Sequence, residues 1–177
     1  GTMVYALGDN AATAPESSSF SAAIPQGTDA GAYYVWYKVQ GDLNHSDTAP
    51  ACVTVTIAKK ELTVSATAND KTYDGTTTAI GTVTLTAAVN GEQPTTGGAF
   101  AFESAGAGAN KQVNVTNIGL TGTWDTNYTL DVTSTATTAD IAKATPTLSL
   151  TASSASLTGG GDVVLTLSGL PSGETAT

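Results

Sequence analysis

The stretch LTVSATANDKTYDGTTTAIGTVTLTA, residues 62–87, is the part of the sequence that decides the fold class. Its two ends, Leu62–Thr67 and Gly81–Ala87, alternate apolar and polar residues, which is the pattern of a β-strand with one buried face. Between them, Asp74-Gly75 is a dipeptide typical of tight turns, because glycine accepts a positive φ. A strand, a turn and a second strand therefore predict antiparallel β structure here.

The same alternation fills the rest of the chain, and no stretch of ten or more residues has a helical period. Short strands separated by polar turns favour an immunoglobulin-like β-sandwich over any helical fold. We therefore predict an all-β chain of antiparallel sandwich modules. The further predicted strands are Thr2–Leu7, Ala32–Val39, Cys52–Ile57, Ala99–Glu103, Gln112–Thr116, Tyr128–Val132 and Val163–Ser168.

Charge and composition exclude several classes of partner. Six lysines, no arginine and fifteen acids give a net charge of −9 at pH 7. Nucleic-acid binding needs clustered basic residues to neutralise phosphate, so we expect none. No run of 18 apolar residues occurs, so we expect no membrane insertion. The single cysteine, Cys52, lies in an alternating run and is interpreted as a strand residue without a disulfide partner.

An internal repeat divides the chain. TIAKK (56–60) recurs as DIAKA (140–144), and each copy follows a glycine turn and an alternating strand. We read the repeat as the last strand of one module running into the next with little linker, so the modules lie end to end. The predicted domains are 1–58, lacking its first strands, 59–143, complete, and 145–177, the opening strands of a third module.

Three segments resemble known families. KTYDGTT (71–77), with AFESAGAGANKQVNV (101–115), DTNYTL (125–130) and TADIAK (138–143), resembles the YDG-type repeat of bacterial surface proteins. Segment 1–58 is similar to the related MBG-type module, and 145–177 to a bacterial immunoglobulin-like module. The resemblance implies a structural stalk or adhesive segment of a secreted protein at the cell surface or cell wall. It implies no catalytic residue and no cofactor.

The motif residues have a structural interpretation. Asp74-Gly75 predicts the tight turn, and Tyr73 supplies a large amphipathic ring beside it. Asn127 and Tyr128 are expected to form a second corner, similar to the tyrosine corner of immunoglobulin folds.

Other candidate sites are weaker. Asp42, Asn44 and Ser46 offer oxygen atoms at alternate positions, as a calcium loop does, but the glycine and the distal glutamate of such a loop are missing. His45 and Cys52 are too few for zinc. Glu103 and Asp125 are the nearest approach to an acid pair, and the glycine run 159–162 lacks the lysine of a phosphate loop. We expect no metal site and no enzyme.

Exposed aromatic residues are the remaining candidates for a ligand, which would be a host glycan or protein. Within TyrTyrValTrpTyr (33–37), Tyr34 and Trp36 share one face, and that face is either core or a platform for stacking a sugar. Trp124 lies in a predicted turn. An isopeptide bond from Lys38, Lys71 or Lys111 is also left open.

The two ends carry a prediction of their own. Segment 1–58 is expected to need opening strands, which 145–177 would supply. Unpaired strand edges seek partners, so we predict strand exchange between neighbouring molecules, with 145–177 of one docking on 1–58 of another.

Overall fold

The computed structural model describes residues 1–89, 91–152 and 163–171, and those residues form an all-β structure. Within these ranges there is no α-helix, and two single 3₁₀ turns cover Ser17–Ser19 and Trp124–Thr126. Accordingly, no helix in these ranges is long and apolar enough to cross a membrane. The strands are β1 (Thr2–Gly8), β2 (Gly31–Gln40), β3 (Ala51–Ile57), β4 (Lys60–Ala68), β5 (Lys71–Thr72), β6 (Gly81–Thr86), β7 (Thr96–Phe102), β8 (Gly108–Leu120), β9 (Tyr128–Leu130), β10 (Thr135–Ala142), β11 (Thr147–Ala152) and β12 (Val163–Ser168).

The strands form four sheets, with the orders β1-β2-β3, β6-β4-β9, β5-β10-β8-β7 and β11-β12. The expectation of an all-β chain is confirmed. No sheet in the described ranges mixes strands from the predicted segments 1–58, 59–143 and 145–177. By compactness the chain divides into two units. The first is Gly1–Leu62, Ala87–Pro94 and Leu120–Thr129, and the second is Thr63–Thr86, Thr95–Gly119 and Leu130–Thr177.

In the first unit, the sheet β1-β2-β3 has two different faces. Successive side chains of a strand point to opposite faces, so one residue in two is buried. Val4, Ala6, Trp36 and Lys38 are buried on one face. The opposite face carries apolar side chains that stay partly exposed to solvent.

In the second unit, a core forms around β10, β8 and β7. Phe102, Val113, Ala139 and Ile141 are buried together, and Tyr73 packs against them. Side chains of two sheets also meet here. A Cβ atom placed on Gly98 of β7 would lie 3.3 Å from both Val83 of β6 and Val115 of β8.

One strand pair corrects the expectation of purely antiparallel sheets. β5 pairs with β10 in parallel, with Lys71 opposite Ile141 and Thr72 opposite Ala142. β5 follows β4 after residues 69–70 only, and the Asp140 N–H of β10 donates to Asp70 Oδ1 at 2.7 Å, so the chain is held beside β10 where β5 begins. The sheet β5-β10-β8-β7 is therefore mixed.

Both junctions differ from the expectation that strands continue from one segment into the next through Lys59-Lys60 and Lys143-Ala144. β3 ends at Ile57 and β4 begins at Lys60, so Ala58 and Lys59 lie outside the strands. β10 ends at Ala142 and β11 begins at Thr147, so Lys143-Ala144 does not continue a strand. Pro146 has no N–H to donate, which accounts for a break at this point. β12 pairs along its length with β11 of the same chain, from Ala152↔Val163 to Thr147↔Ser168. Its docking on a neighbouring molecule stays a prediction.

Candidate functional site

The lysine of the KTYDGTT segment organises the turn that follows β5. The Lys71 ammonium donates to Asp74 Oδ1 at 2.8 Å, to the Thr76 carbonyl at 2.8 Å and to the Thr78 carbonyl at 2.9 Å. It also contacts Thr76 Oγ1 at 3.2 Å. The side chain is only 17% exposed. Oxygen atoms from alternate residues thus surround one ammonium group.

Asp74 fixes the same turn from the other side. Its Oδ1 accepts hydrogen bonds from the Thr76 backbone N–H and the Thr76 hydroxyl, both at 2.9 Å. The hydrogen bond from Lys71, followed by those from Thr76, lowers the pKa of Asp74 to about 2. Gly75 has a φ of +76°, a left-handed value that favours glycine.

This turn secures a short parallel pairing at the edge of the sheet. Beyond the β5–β10 register, the Tyr73 N–H donates to the Ala142 carbonyl at 2.8 Å. The Asp140 N–H donates to Asp70 Oδ1 at 2.7 Å. The Lys71 ammonium lies 5.5 Å from the centre of the Phe102 ring, within the range of a cation–π contact. Residues 70–73 are therefore tied to the last strand of the segment by backbone and side-chain bonds.

Tyr128 forms a second corner, in the first unit. Its ring is 2% exposed, and its hydroxyl accepts from the Val89 N–H at 3.1 Å and donates to the Glu92 carboxylate. The bond to Glu92 raises the pKa of Tyr128, because losing the proton would set two negative charges against each other. Trp124 packs against the same ring, with centroids 6.2 Å apart.

Asn127, next to Tyr128, ties three parts of the first unit together. Its Oδ1 accepts from the Ala30 N–H at 2.7 Å, and its Nδ2 donates to Asp29 Oδ1 at 2.8 Å. Its carbonyl accepts from the Lys60 N–H at 2.9 Å. The side-chain amide thus accepts one hydrogen bond and donates another to two adjacent residues. A carboxylate could only accept, and an alkyl group could do neither.

The three aromatic ligand candidates are placed differently. Trp36 is 7% exposed and donates its indole N–H to the Asn10 carbonyl at 3.0 Å, so its ring lies in the interior of the first unit. Tyr34, on the same face of β2, is half-buried. Trp124 is half-buried as well, in a surface turn. The structure does not bring Trp36 and Tyr34 to an open face.

The polar loop at Asp42 makes an ordinary turn. Asp42 Oδ1 accepts from the Asn44 N–H at 2.9 Å and contacts His45 Nδ1 at 2.7 Å. These bonds, the one from Asn44 first, lower the pKa of Asp42. Across the part of the chain that the structure describes, no three His, Cys, Asp or Glu side chains form a group that could hold a metal ion.

The other candidates have local partners or lie apart from any cluster. The Lys38 ammonium bonds Asp47 Oδ2 at 2.7 Å, and Lys111 bonds the Ser104 hydroxyl at 2.7 Å. Glu103 and Asp125 are both exposed. The glycine run 159–162 lies outside the described residues.

Sequence reasoning singled out Tyr73, Asp74 and Gly75 but missed the residues that complete the turn. Lys71 entered only as an isopeptide candidate, and Thr76 and Thr78 did not enter at all. The available signal was the spacing of Asp74 and Thr76 after Lys71, whereas the bonds to the backbone carbonyls of Thr76 and Thr78 leave no mark in the sequence. Asp70 and Asn127 act through contacts distant in sequence, which the spacing does not reveal.

Residues 58–139 match the family model described as the YDG domain. The match falls on the segment whose motifs resemble that family, so the resemblance is confirmed and the chain contains a YDG domain. No curated protein and no solved structure matches the chain.

Proposed function

We propose that this chain, which contains a YDG domain at residues 58–139, is a structural stalk segment of a secreted bacterial surface protein and resists tension there. The observation that supports it best is the parallel pairing of β5 with β10. This pairing joins β5, the second strand of the segment 59–143 that contains the YDG match, to β10, the last strand of that segment. Extending the segment fully from both of its ends therefore requires the β5–β10 pair to separate.

The geometry of the pair determines how it responds to tension. A pull on residue 59 reaches β5 through β4, and together with a pull on residue 143 it draws β5 and β10 in opposite directions along their own axes. Hydrogen bonds between two such strands lie across the direction of sliding, so they are loaded together instead of one after another. Forced unfolding is governed by the unfolding rate, so such loading raises resistance without requiring a higher equilibrium stability.

The Lys71 turn reinforces this pair. β5 is only two residues long, and two ladder pairs alone would hold it weakly. The bonds from Lys71 to Asp74, Thr76 and Thr78 fix the chain immediately after β5. In this proposal, the hydrogen bonds of the turn have a structural role, and the chain is not an enzyme.

The finer architecture belongs to the same proposal. We take the chain to consist of tandem immunoglobulin-like sandwich modules that lie end to end outside the cell, at its surface or wall. The approach of Val83 and Val115 on either side of Gly98 supports a two-sheet core. The acidic net charge and the absence of arginine suit a protein that avoids nucleic acids and anionic membranes.

Force spectroscopy with two attachment geometries tests the stalk function. In a Cys52→Ser background, cysteines at 59 and 143 load the parallel pair along its strands. Cysteines at 106 and 143 instead pull adjacent ends of β8 and β10, because Gly108 pairs with Ile141, and open that ladder one bond at a time. We expect a higher unfolding force for 59/143. Equal forces in the two geometries would contradict the proposal.

A second candidate function, binding of a host glycan or protein, is favoured by Trp124 alone. Its ring lies in a surface turn, is partly exposed and is held in place by Tyr128, as a ring for sugar stacking should be. Glycan-array binding by the wild type that Trp124→Ala abolishes, with Tyr37→Ala as the control, would support this candidate. Binding that survives Trp124→Ala, or no binding, would count against it.

A further inference from the structure

A hydrogen-bonded contact in the first unit joins two segments that lie far apart in the sequence. Asp29 and Ala30 belong to the predicted segment 1–58, and Asn127 belongs to the predicted segment 59–143. The Asn127 side chain accepts from the Ala30 N–H at 2.7 Å and donates to Asp29 Oδ1 at 2.8 Å. These two bonds, which we call the Asn127 contact, hold one segment against the other.

The loop that carries Asn127 also holds the linker between the two segments. The Lys60 N–H donates to the Asn127 carbonyl at 2.9 Å, and the Lys59 ammonium donates to the Asp125 carbonyl. The linker and the Asn127 contact are therefore fixed by neighbouring residues of one loop.

The compact first unit extends across the sequence boundary between the segments. Residues 87–94 and 120–129 of segment 59–143 belong to the same unit as segment 1–58. A pocket of about 180 Å³ in this unit is lined by residues of both segments. Connected segments usually move relative to each other unless the contacts between them are extensive. Contacts from several stretches of the chain favour a fixed arrangement here.

The turn that presents Asp29 is held in place by its own segment. The Tyr33 hydroxyl donates to the Asp29 carbonyl at 2.8 Å. A Cβ atom placed on Gly27 would lie 2.6 Å from the Tyr33 ring, so the close approach of this ring to the chain requires glycine. The Asp29 carboxylate and the Ala30 N–H are thus positioned before they meet Asn127, which lowers the entropy that the contact costs.

A similar turn lies at the second junction. AspAlaGly (29–31) leads into β2, and GlyAlaGly (106–108) leads into β8, so Gly106 stands at the position of Asp29. In the second unit, Gly106 and Ala107 line a pocket together with Leu170 and Pro171 of the following segment. The turn therefore faces the next segment at both junctions, but Gly106 has no carboxylate to offer there.

We propose that this turn is the surface by which one segment holds the next, and that Asp29 and Asn127 recognise each other at the first junction. The partner that fits the turn at residues 29–30 is a corner bearing an asparagine, because one side chain must accept from an N–H and donate to a carboxylate. The contact fixes segment 1–58 against residues 120–129. It is independent of resistance to tension, since a mobile junction would leave the β5–β10 pair unchanged.

Electron–electron double resonance on the full chain measures whether this junction is fixed. In a Cys52→Ser background, nitroxide labels on Ala51→Cys and Thr129→Cys, two exposed positions of the first unit, report a distance across the junction. We expect a narrow distance distribution that Asn127→Ala broadens at least about twofold, because the segments then move about their linker. Asn114→Ala, at an exposed asparagine of β8, is the matched control and should leave the width unchanged. A distribution that is already broad with Asn127 in place, or one that Asn127→Ala does not broaden, would overturn the proposal.

Variants of Asp29 test the recognition from the other segment. Asp29→Asn keeps an oxygen that accepts from the Asn127 amide, so the labelled chain should retain its narrow distribution. Asp29→Ala removes that acceptor and should broaden the distribution as Asn127→Ala does. A width that stays narrow in Asp29→Ala would refute recognition between these two residues, even if Asn127→Ala itself fails to fold.

Discussion

At the scale of single residues, one ammonium group determines the shape of the turn after β5. Lys71 bonds a carboxylate and two carbonyls within a span of eight residues, and it is shielded from most of the solvent. Donors held in this way contribute to stability, because removing them leaves several acceptors without their partner. The tyrosine, aspartate and glycine that mark the family stand around this lysine.

Replacing the lysine should therefore be costly. Lys71→Met keeps the aliphatic stem but removes every bond to residues 74–78, and we expect a loss of about 2 kcal/mol in the free energy of unfolding. Chemical denaturation of the full chain measures it. Lys143→Met, at an exposed lysine, should change the free energy of unfolding by less than about 0.5 kcal/mol. Similar losses for both variants would contradict the role given to Lys71.

The same turn should make stability depend on pH in the acid range. The pKa of Asp74 is about 2 in the folded chain, below its ordinary value of 3.8. Its stabilising contribution is therefore complete above pH 3.8 and is lost as the pH falls through 2. Denaturation midpoints between pH 5 and pH 2 should fall less steeply for Asp74→Asn than for the wild type. Parallel curves for the two proteins would show that Asp74 is not stabilised in this way.

Individual residues differ in how well their structural roles could be predicted from the sequence. The turn at Asp74-Gly75 can be predicted from the sequence, because its signal lies in two adjacent residues. Gly75 accordingly has a left-handed φ. The oxygen cage around Lys71 can be found from spacing only once the turn is known. Trp36 could not be placed from its alternation, since both faces of β2 carry aromatic residues and burial decides between them.

At the scale of secondary-structure elements, strand positions follow from alternation but strand partners do not. β1, β2 and β3 lie within a residue of their predicted limits, because each alternates over its whole length. β5 has only two residues and no period, so neither it nor its parallel pairing with β10 could be predicted. β8 runs from Gly108 to Leu120, well beyond the predicted 112–116, because its pairing extends past the alternating part.

The Tyr128 corner should be sensitive to loss of one oxygen atom. Tyr128→Phe keeps the packing against Trp124 but leaves Glu92 and the Val89 N–H without their partner, so we expect a lower melting temperature. Tyr37→Phe, at an exposed ring, is the control and should melt like the wild type.

The raised pKa of Tyr128 adds a dependence on alkaline pH. Its contribution is complete below pH 10 and is lost as the pH rises through the raised folded value. The difference in melting temperature between wild type and Tyr128→Phe should therefore shrink above pH 10. A difference that stays constant up to pH 12 would contradict the bond to Glu92.

The amide of Asn127 should be equally specific. Asn127→Asp retains an acceptor for the Ala30 N–H but sets a carboxylate against that of Asp29, and we expect a loss of about 1–2 kcal/mol. Hydrogen exchange of the Ala30 amide should become faster. The double variant Asn127→Asp with Asp29→Asn restores a donor and should recover much of the loss. If it recovers nothing, the pair does not hold this loop.

At the scale of the whole molecule, the proposed function depends on which contacts resist tension and not on the total free energy of unfolding. A stalk must resist tension at its two ends, and the YDG segment joins β5, its second strand, to β10, its last strand. The sequence indicated the segment through the repeat of IleAlaLys, which we interpret as the boundary between modules. It could not indicate which contacts would carry a load, since these join residues 70–73 to residues 140–142.

A comparison of the unfolding forces of two variants with similar equilibrium stability tests whether the Lys71 turn and the β5–β10 pair resist tension. Val115→Ala removes buried volume between the sheets at a cost of about 2 kcal/mol, close to that expected for Lys71→Met, and leaves the parallel pair intact. With the chain held at residues 59 and 143, we predict that Lys71→Met lowers the unfolding force and that Val115→Ala lowers it much less. Equal reductions in force, or a larger one for Val115→Ala, would contradict the claim that the Lys71 turn and the β5–β10 pair bear the load.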